Sequence, residues 1–250
     1  MAPLEIPENL LSLFLKRSCP VCGGERDPGE TFCEWCSLRL DPCSSLHRSI
    51  DGRRIPPPVT GNPKNDYDTY GIPVYSAVLF AGLPGELIRR LKFGGERHLA
   101  SAAAKTIRSF SPVLPGPGHL LVPVPVSRRR KRERGYDQAL LIGRAVARLT
   151  GCRLLRALSR DHGPSQVGLS NEQRRDNVRG VFHVSGRRRV PPGGTVCLLD
   201  DVATTFSTIH NAAGALLENG AGVVYGLTLA YRRKAAGSII RNELTIRTGG

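Results

Sequence analysis

Residues 195–208, TVCLLDDVATTFST, put a strand, an acidic pair and a hydroxyl-rich turn in immediate succession. Four apolar residues, Val196 to Leu199, read as a short buried strand. Asp200 and Asp201 follow where that strand is expected to end. Thr204, Thr205, Ser207 and Thr208 then lead into a helix whose apolar stripe is Ile209, Ala212, Ala213 and Leu216, ending near Gly220. In open α/β sheets, ligands sit beyond the carboxyl ends of the strands. A helix N-terminus behind a hydroxyl-rich loop suits phosphate, and paired acids suit sugar hydroxyls or a hydrated Mg²⁺. Together these residues point to a phosphorylated sugar. Taken alone, the two acids read equally well as one N-cap plus one solvated carboxylate.

The same alternation runs through the chain. Val74–Phe80, Leu120–Val126 (ending near Pro123, since proline does not suit a central ladder) and Val223–Ala230 read as strands, as does the short Val181–Val184. Glu86–Phe93 and Arg97–Phe110 read as helices separated by Gly94 and Gly95. Asp137 is placed to N-cap a further helix with the stripe Ile142, Ala145, Val146 and Leu149, closed by Gly151. Strands alternating with helices predict an α/β domain with a mostly parallel sheet flanked by helices. The expected organisation is an N-terminal helix and cysteine-rich module over 1–50, a linker over 51–70, the α/β domain over 71–235 and a tail over 236–250.

The module holds Cys19-Pro-Val-Cys22 and Cys33-Glu-Trp-Cys36, two CxxC pairs with ten residues between them. Each pair can form a knuckle whose thiolates reach one tetrahedral Zn²⁺, and Gly23 and Gly24 permit the turn after the first. Four thiolates close the coordination shell, so the site reads as structural. A redox dithiol would need only one CxxC pair. Cys43 reads as a bystander, and Cys152 and Cys197 as core residues. Seven cysteines in a chain with no evident export signal favour metal or free thiols over a disulfide framework. Leu10–Leu15 is too short for a membrane span and follows no cationic residue, so neither a span nor a signal peptide is expected, and the reading is cytoplasmic.

A formal net charge of +15 favours polyanionic partners. The charge is clustered, most densely at Arg128–Arg134, where six of seven side chains are cationic. Within PVPVSRRRKRERGYDQA, residues 123–139, this cluster can hold a pyrophosphate, grip a nucleic-acid backbone or simply remain a solvated basic loop. Arg134-Gly135-Tyr136 is its more specific part, because glycine allows close backbone approach. The 6% aromatic content offers no evident stacking platform for single-stranded bases. Residues 159–182, SRDHGPSQVGLSNEQRRDNVRGVF, begin as a polar loop with a Gly-Pro break and continue as a short charged helix over Asn171–Val178.

These segments, in this order after a double-CxxC ribbon, resemble the ComF family of amidophosphoribosyltransferase-like proteins from Leu10 to Tyr231. PVPVS…RERGYDQA looks like the family's PVP…RGFNQ segment. Arg160, Gln166, Leu169, Arg175, Asn177, Gly180 and Phe182 match its R…Q…L…R..N..G.F segment. VCLLDDVATTFST looks like the type I phosphoribosyltransferase signature DDV.TTG.T. The resemblance implies a type I phosphoribosyltransferase fold with a small N-terminal zinc ribbon, and binding of phosphoribosyl pyrophosphate (PRPP) with Mg²⁺. Carried over by position, Asp200 and Asp201 would hold the ribose hydroxyls. Thr204, Thr205, Phe206, Ser207 and Thr208 would form the 5′-phosphate loop, Arg134 and Gly135 would face the pyrophosphate, and Arg160 and Gln166 would belong to a flexible loop over the site. The resemblance also implies a link to natural competence and DNA uptake, with single-stranded DNA or a DNA-processing protein as partner. Three roles follow: a phosphoribosyltransferase, an inactive DNA-processing accessory, and a PRPP-sensing regulator of nucleotide metabolism.

Phe206 departs from the signature. Glycine there permits a positive φ without a Cβ against the phosphate. A phenylalanine in that conformation costs about 1–3 kcal/mol of strain. Otherwise its ring turns into the core and the loop rearranges.

Overall fold

A computed structural model describes residues 18–43, 72–160, 181–184, 189–204 and 206–232. The expected N-terminal helix, the linker, the charged helix over Asn171–Val178 and the C-terminal tail lie outside these residues, as do Thr205 and Gln166. Five strands form one parallel sheet: β1 (Val74–Leu79), β2 (Leu120–Pro123), β3 (Arg153–Leu154), β6 (Thr195–Ala203) and β7 (Val223–Tyr231), in the order β1-β7-β6-β2-β3. β4 (Leu158–Arg160) and β5 (Phe182–Val184) form a separate antiparallel pair. The helices are α1 (Glu34–Ser37), α2 (Leu83–Phe93), α3 (Leu99–Phe110), α4 (Arg128–Arg134), α5 (Gln138–Thr150) and α6 (Ser207–Glu218). The predicted mostly parallel sheet with flanking helices and an N-terminal four-cysteine cluster is therefore present.

The period of two along β6 sorts its side chains between two cores. Cys197 and Leu199 pack with Leu87 and Leu91 of α2, Ile107 of α3 and Ile142 of α5. Val196 and Leu198 face the other way, towards Ile209, Ala212, Ala213 and Leu216 of α6. Burial on both sides explains the continuous apolar run in the sequence. Gly143 lets α5 lie close on the sheet: a Cβ there would sit 3.2–3.3 Å from Leu154, Pro123 and Leu199.

Two expectations are corrected. β6 does not end at Leu199 but runs through both acids to Ala203, because β7 continues beside it and the ladder pairs Asp200 with Thr228 and Ala203 with Tyr231. Ladder hydrogen bonds here outweigh the weak strand preference of aspartate. Arg128–Arg134 is not a loop but a helix without buried residues, N-capped by Ser127, whose Oγ accepts from the Arg130 amide at 3.3 Å. Gly135 ends that helix in the left-handed region at φ 73°. Its demand for glycine is therefore conformational, with no close backbone neighbour required.

The cysteine module is joined to the sheet domain. Asp41–Cys43 runs antiparallel along β1: the Leu79 amide donates to Asp41 O at 2.8 Å and the Cys43 amide to Ala77 O at 2.9 Å. This strap covers an otherwise open sheet edge and gives buried Cys43 a place in the core. Arg90 of α2 donates to the Val21 carbonyl inside the first knuckle and holds Glu96 through two contacts. Cys19, Val21, Phe32 and Cys36 belong to the same apolar cluster as α2.

Candidate functional site

At the carboxyl ends of β2 and β6 opens a cavity of about 1050 Å³. Asp200, Asp201, Thr204 and Thr208 line one part, from β6 and the start of α6. Seven cationic side chains line the remainder: Arg89, Lys92, Arg129, Arg130, Arg134, Arg160 and Arg232. They outnumber the four carboxylates present, Glu86, Glu133, Asp200 and Asp201. Such a wall attracts a multiply charged anion, while the carboxylates offer acceptors for hydroxyls or a cation.

Strand geometry separates the two acids. Asp201, in register with Cys197 and Leu199, points towards α2, where Lys92 Nζ lies 2.9 Å from Oδ1 and 2.8 Å from Oδ2. The ammonium donates to Oδ1; no donor is aligned on buried Oδ2 despite the close charge. Asp200 falls in the opposite register, its Oδ1 accepting from the Asp201 amide at 2.8 Å. Burial, then the charge of Asp201, push the Asp200 pKa up to about 7, while Lys92 pulls the other way. Sequence reasoning missed Lys92. No local motif marks it, and only the packing of α2 brings it to residue 201.

The basic segment is anchored from its end. Tyr136 is buried, donates its hydroxyl to the Leu91 carbonyl of α2, and carries the Arg97 guanidinium 4.8 Å above its ring. Asp137 caps α5 by accepting from the Leu140 amide at 3.1 Å. Arg134 donates to Gln138 Oε1 at 2.9 Å and lies 5.0 Å over the Phe93 ring. Arg160, at the end of β4, stacks over Phe182 at 5.3 Å. Burial, then the like charge of Arg130, press its pKa down, and Asp200 opposes them. Arg134 and Arg160 thus line the cavity with the acids, whereas Gly135, Phe206 and Ser207 do not.

Phe206 satisfies both of the alternatives that sequence reasoning held apart. Its φ of 58° is the sole positive value outside glycine among the described residues, and it forms the N-cap of α6. Its ring is nonetheless buried, stacked on Tyr231 at 5.4 Å with 11° between planes. The turn keeps the conformation a glycine would adopt, and the side chain leaves by the core side. Burial of a phenylalanine, about 1.5–3 kcal/mol, together with about 0.5–1.5 kcal/mol for the ring pair, offsets the strain of about 1–3 kcal/mol.

In the cysteine module, the sulfurs of Cys19, Cys22, Cys33 and Cys36 lie within 4.8 Å of one another. The Cys22 and Cys33 sulfurs are 3.5 Å apart. This spacing suits tetrahedral thiolate coordination with metal–sulfur bonds of about 2.3 Å. Burial opposes ionisation of Cys19, but hydrogen bonds from nearby amides and the Cys22 thiol outweigh it and bring its pKa to about 6. Burial and the neighbouring thiols push Cys36 up. The donor set and its spacing fit a structural metal.

No family model matches the chain. Among curated proteins it is similar to Competence protein ComFC of Bacillus subtilis, 31% identical over 136 residues, 54% of either chain; it thus spans about half that relative's length. It is similar to DNA utilization protein YhgH of Escherichia coli O6:H1, 28% identical over 220 residues, covering 82% of this chain and 86% of that one. It also matches Competence protein F of Haemophilus influenzae, 31% identical over 144 residues, 54% of this chain and 62% of the relative. Among solved structures, the allosteric regulatory enzyme of purine biosynthesis aligns with 53% of this chain and 26% of its own at 18% identity, TM-score 0.36. Adenine phosphoribosyltransferase from Leishmania tarentolae aligns with 54% and 71% at 16% identity, TM-score 0.32. The sequence relatives, named for competence and DNA utilisation, agree with the resemblance to the ComF family drawn from the chain's own motifs.

Proposed function

We propose that the cavity binds PRPP or a closely related phosphorylated ribose, in a protein that serves DNA uptake or utilisation. One observation carries this reading: two acids and the turn into α6 share a cavity with a wall of seven cations. Asp200 and Asp201 are the acceptors for vicinal ribose hydroxyls. A carboxylate offers about four lone-pair positions, so Asp201 can serve a hydroxyl while Lys92 remains beside it. Thr204, Thr205, Ser207, Thr208 and the first amides of α6 receive the 5′-phosphate, since opening helix amides lack intrahelical acceptors. Arg134 and its basic neighbours face the pyrophosphate.

Asp201 Oδ2, buried without an aligned donor, fits a cation-bearing ligand. Mg²⁺ arriving with the pyrophosphate would neutralise charge on the leaving group, with Asp200 and Asp201 the carboxylates able to hold it. If transfer occurs, the chain's contribution is to hold the ribose and stabilise the departing pyrophosphate with arginines. Zn²⁺ in the four-cysteine module is structural in this reading. Isothermal titration with PRPP and Mg²⁺ tests it. Binding that is lost in Asp200→Asn/Asp201→Asn supports the reading, and no heat with the wild-type protein contradicts it.

A second reading rests on α4, whose Arg128, Arg129, Arg130, Lys131 and Arg132 are all exposed. Here the fold is a platform whose basic helix holds single-stranded DNA. The names of the competence and DNA-utilisation relatives are compatible with it. Binding should weaken steeply with salt and upon neutralising Arg128–Arg132; binding indifferent to both counts against it. Among the described residues no helix is long and apolar enough to cross a membrane.

A further inference from the structure

Three large apolar side chains are exposed among the described residues: Trp35, Leu38 and Phe93. Trp35 already carries the Arg39 guanidinium 4.4 Å over its ring, and both Trp35 and Leu38 belong to the cysteine module. Phe93 alone of the three lines the cavity. It is the last residue of α2 and is 73% exposed. It directly follows Lys92, whose ammonium grips Asp201, so its Cα lies about 3.8 Å from that of Lys92.

Four arginine–aromatic pairs lie in and around the cavity, and one differs from the rest. Tyr136 under Arg97 and Phe182 under Arg160 are buried, and Phe80 under Arg232 is half-buried, so their rings serve the core. Phe93 under Arg134 is exposed: the guanidinium lies 5.0 Å from its ring centroid, yet 73% of the residue's surface stays accessible among the described residues. Arg134 is itself oriented by Gln138 Oε1. Gly94 then ends the helix, where a Cβ would meet the Arg90 carbonyl at 2.8 Å, and Gly95 turns the chain at φ 72°. The ring is thereby left at the cavity wall.

We propose that Phe93, backed by Arg134, is a stacking subsite for a nucleobase, so that the cavity takes a base-bearing ribose phosphate such as a mononucleotide. This rests on the ribose-phosphate reading above. A planar heteroaromatic ring is the partner that an exposed aromatic ring beside a cationic phosphate wall recognises. An isolated exposed phenylalanine carries no such meaning; its position beside Lys92, within the cavity wall, supplies it.

The test compares titrations of ribose 5-phosphate and adenosine 5′-monophosphate on wild type, Phe93→Ala and Phe93→Trp. The nucleotide should bind wild type more tightly than ribose 5-phosphate. Phe93→Ala should cost the nucleotide roughly tenfold or more and leave ribose 5-phosphate within about twofold. Phe93→Trp should restore nucleotide affinity and report the contact as quenched fluorescence. Because the side chain is exposed, unchanged thermal unfolding of Phe93→Ala confirms that it folds. Ribose 5-phosphate binding with no advantage for the nucleotide overturns the stacking subsite alone, as does equal loss of both ligands in Phe93→Ala. Binding of neither ligand to wild type overturns the ribose-phosphate reading and the subsite with it.

Discussion

The Phe206 ring lies flat on Tyr231, 5.4 Å between centroids, while its backbone holds the left-handed turn that opens α6. Replacing it with glycine keeps the turn but empties the ring's place in the core. Phenylalanine truncation in a core costs about 3–5 kcal/mol, and relief of the positive φ returns part of it. Phe206→Gly should therefore be about 2 kcal/mol less stable in urea unfolding. Its affinity for PRPP should stay within about threefold of wild type. A large gain in affinity would show that the phenylalanine distorts the turn.

Lys92 sits one-fifth exposed against a carboxylate that is 5% exposed. Removing one partner of a buried ion pair costs about 3–5 kcal/mol because the other charge remains unpaired. Lys92→Met should fall near the low end, about 3 kcal/mol, given the residual exposure of the lysine. Asp201→Asn in the Lys92→Met background should recover part of that loss. Simple additivity of the two substitutions, measured by urea unfolding, would mean that the pair is not coupled.

Asp200 supplies a pH dependence with a definite sign. Its pKa in the folded protein is about 7, against about 3.9 for an unperturbed aspartate. Between these values the folded state holds a proton that the unfolded chain has released. This group therefore favours folding most below about pH 4, and its contribution is lost as the pH rises towards 7. Asp200→Asn should flatten that slope in a plot of Tm against pH and raise Tm at pH 8 above that of wild type, by several degrees or more. Wild-type affinity for PRPP should increase between about pH 6 and 8, as the carboxylate ionises.

The strap along β1 and the Arg90 contact with the first knuckle tie the cysteine module to the sheet, so the two should unfold together. If the four-cysteine cluster holds a structural metal, a chelator should lower the Tm of the whole chain in a single calorimetric transition. Cys36→Ser should do the same without chelator. A low-temperature transition separable from that of the sheet would show instead that the module melts alone.

Much of this fold is legible in the sequence because its signals are periodic and local. The stripe at Ile209, Ala212, Ala213 and Leu216 is buried as expected, and Asp137 and Gly151 cap α5. The paired CxxC spacing likewise brings four sulfurs together. What was hidden depends on neighbours distant in the chain. The extension of β6 through its acids follows from β7, and the partner of Asp201 comes from α2. Helix α4 was masked by a run of like charges with no apolar face, so its formation rests on Ser127 and Gly135 at its ends. For Phe206, sequence reasoning correctly identified both strain and core burial but treated them as alternatives. A single residue accommodates both because backbone and side chain face different surroundings.

The central claim is that Asp200, Asp201 and the turn into α6 cradle a ribose phosphate. A crystal structure of the protein grown with PRPP and Mg²⁺ tests it most directly. The account predicts ribose hydroxyls within hydrogen-bond distance of Asp200 and Asp201, the 5′-phosphate on the 204–208 turn, and pyrophosphate against Arg134. Ligand density seated elsewhere, with both carboxylates out of contact, would contradict it.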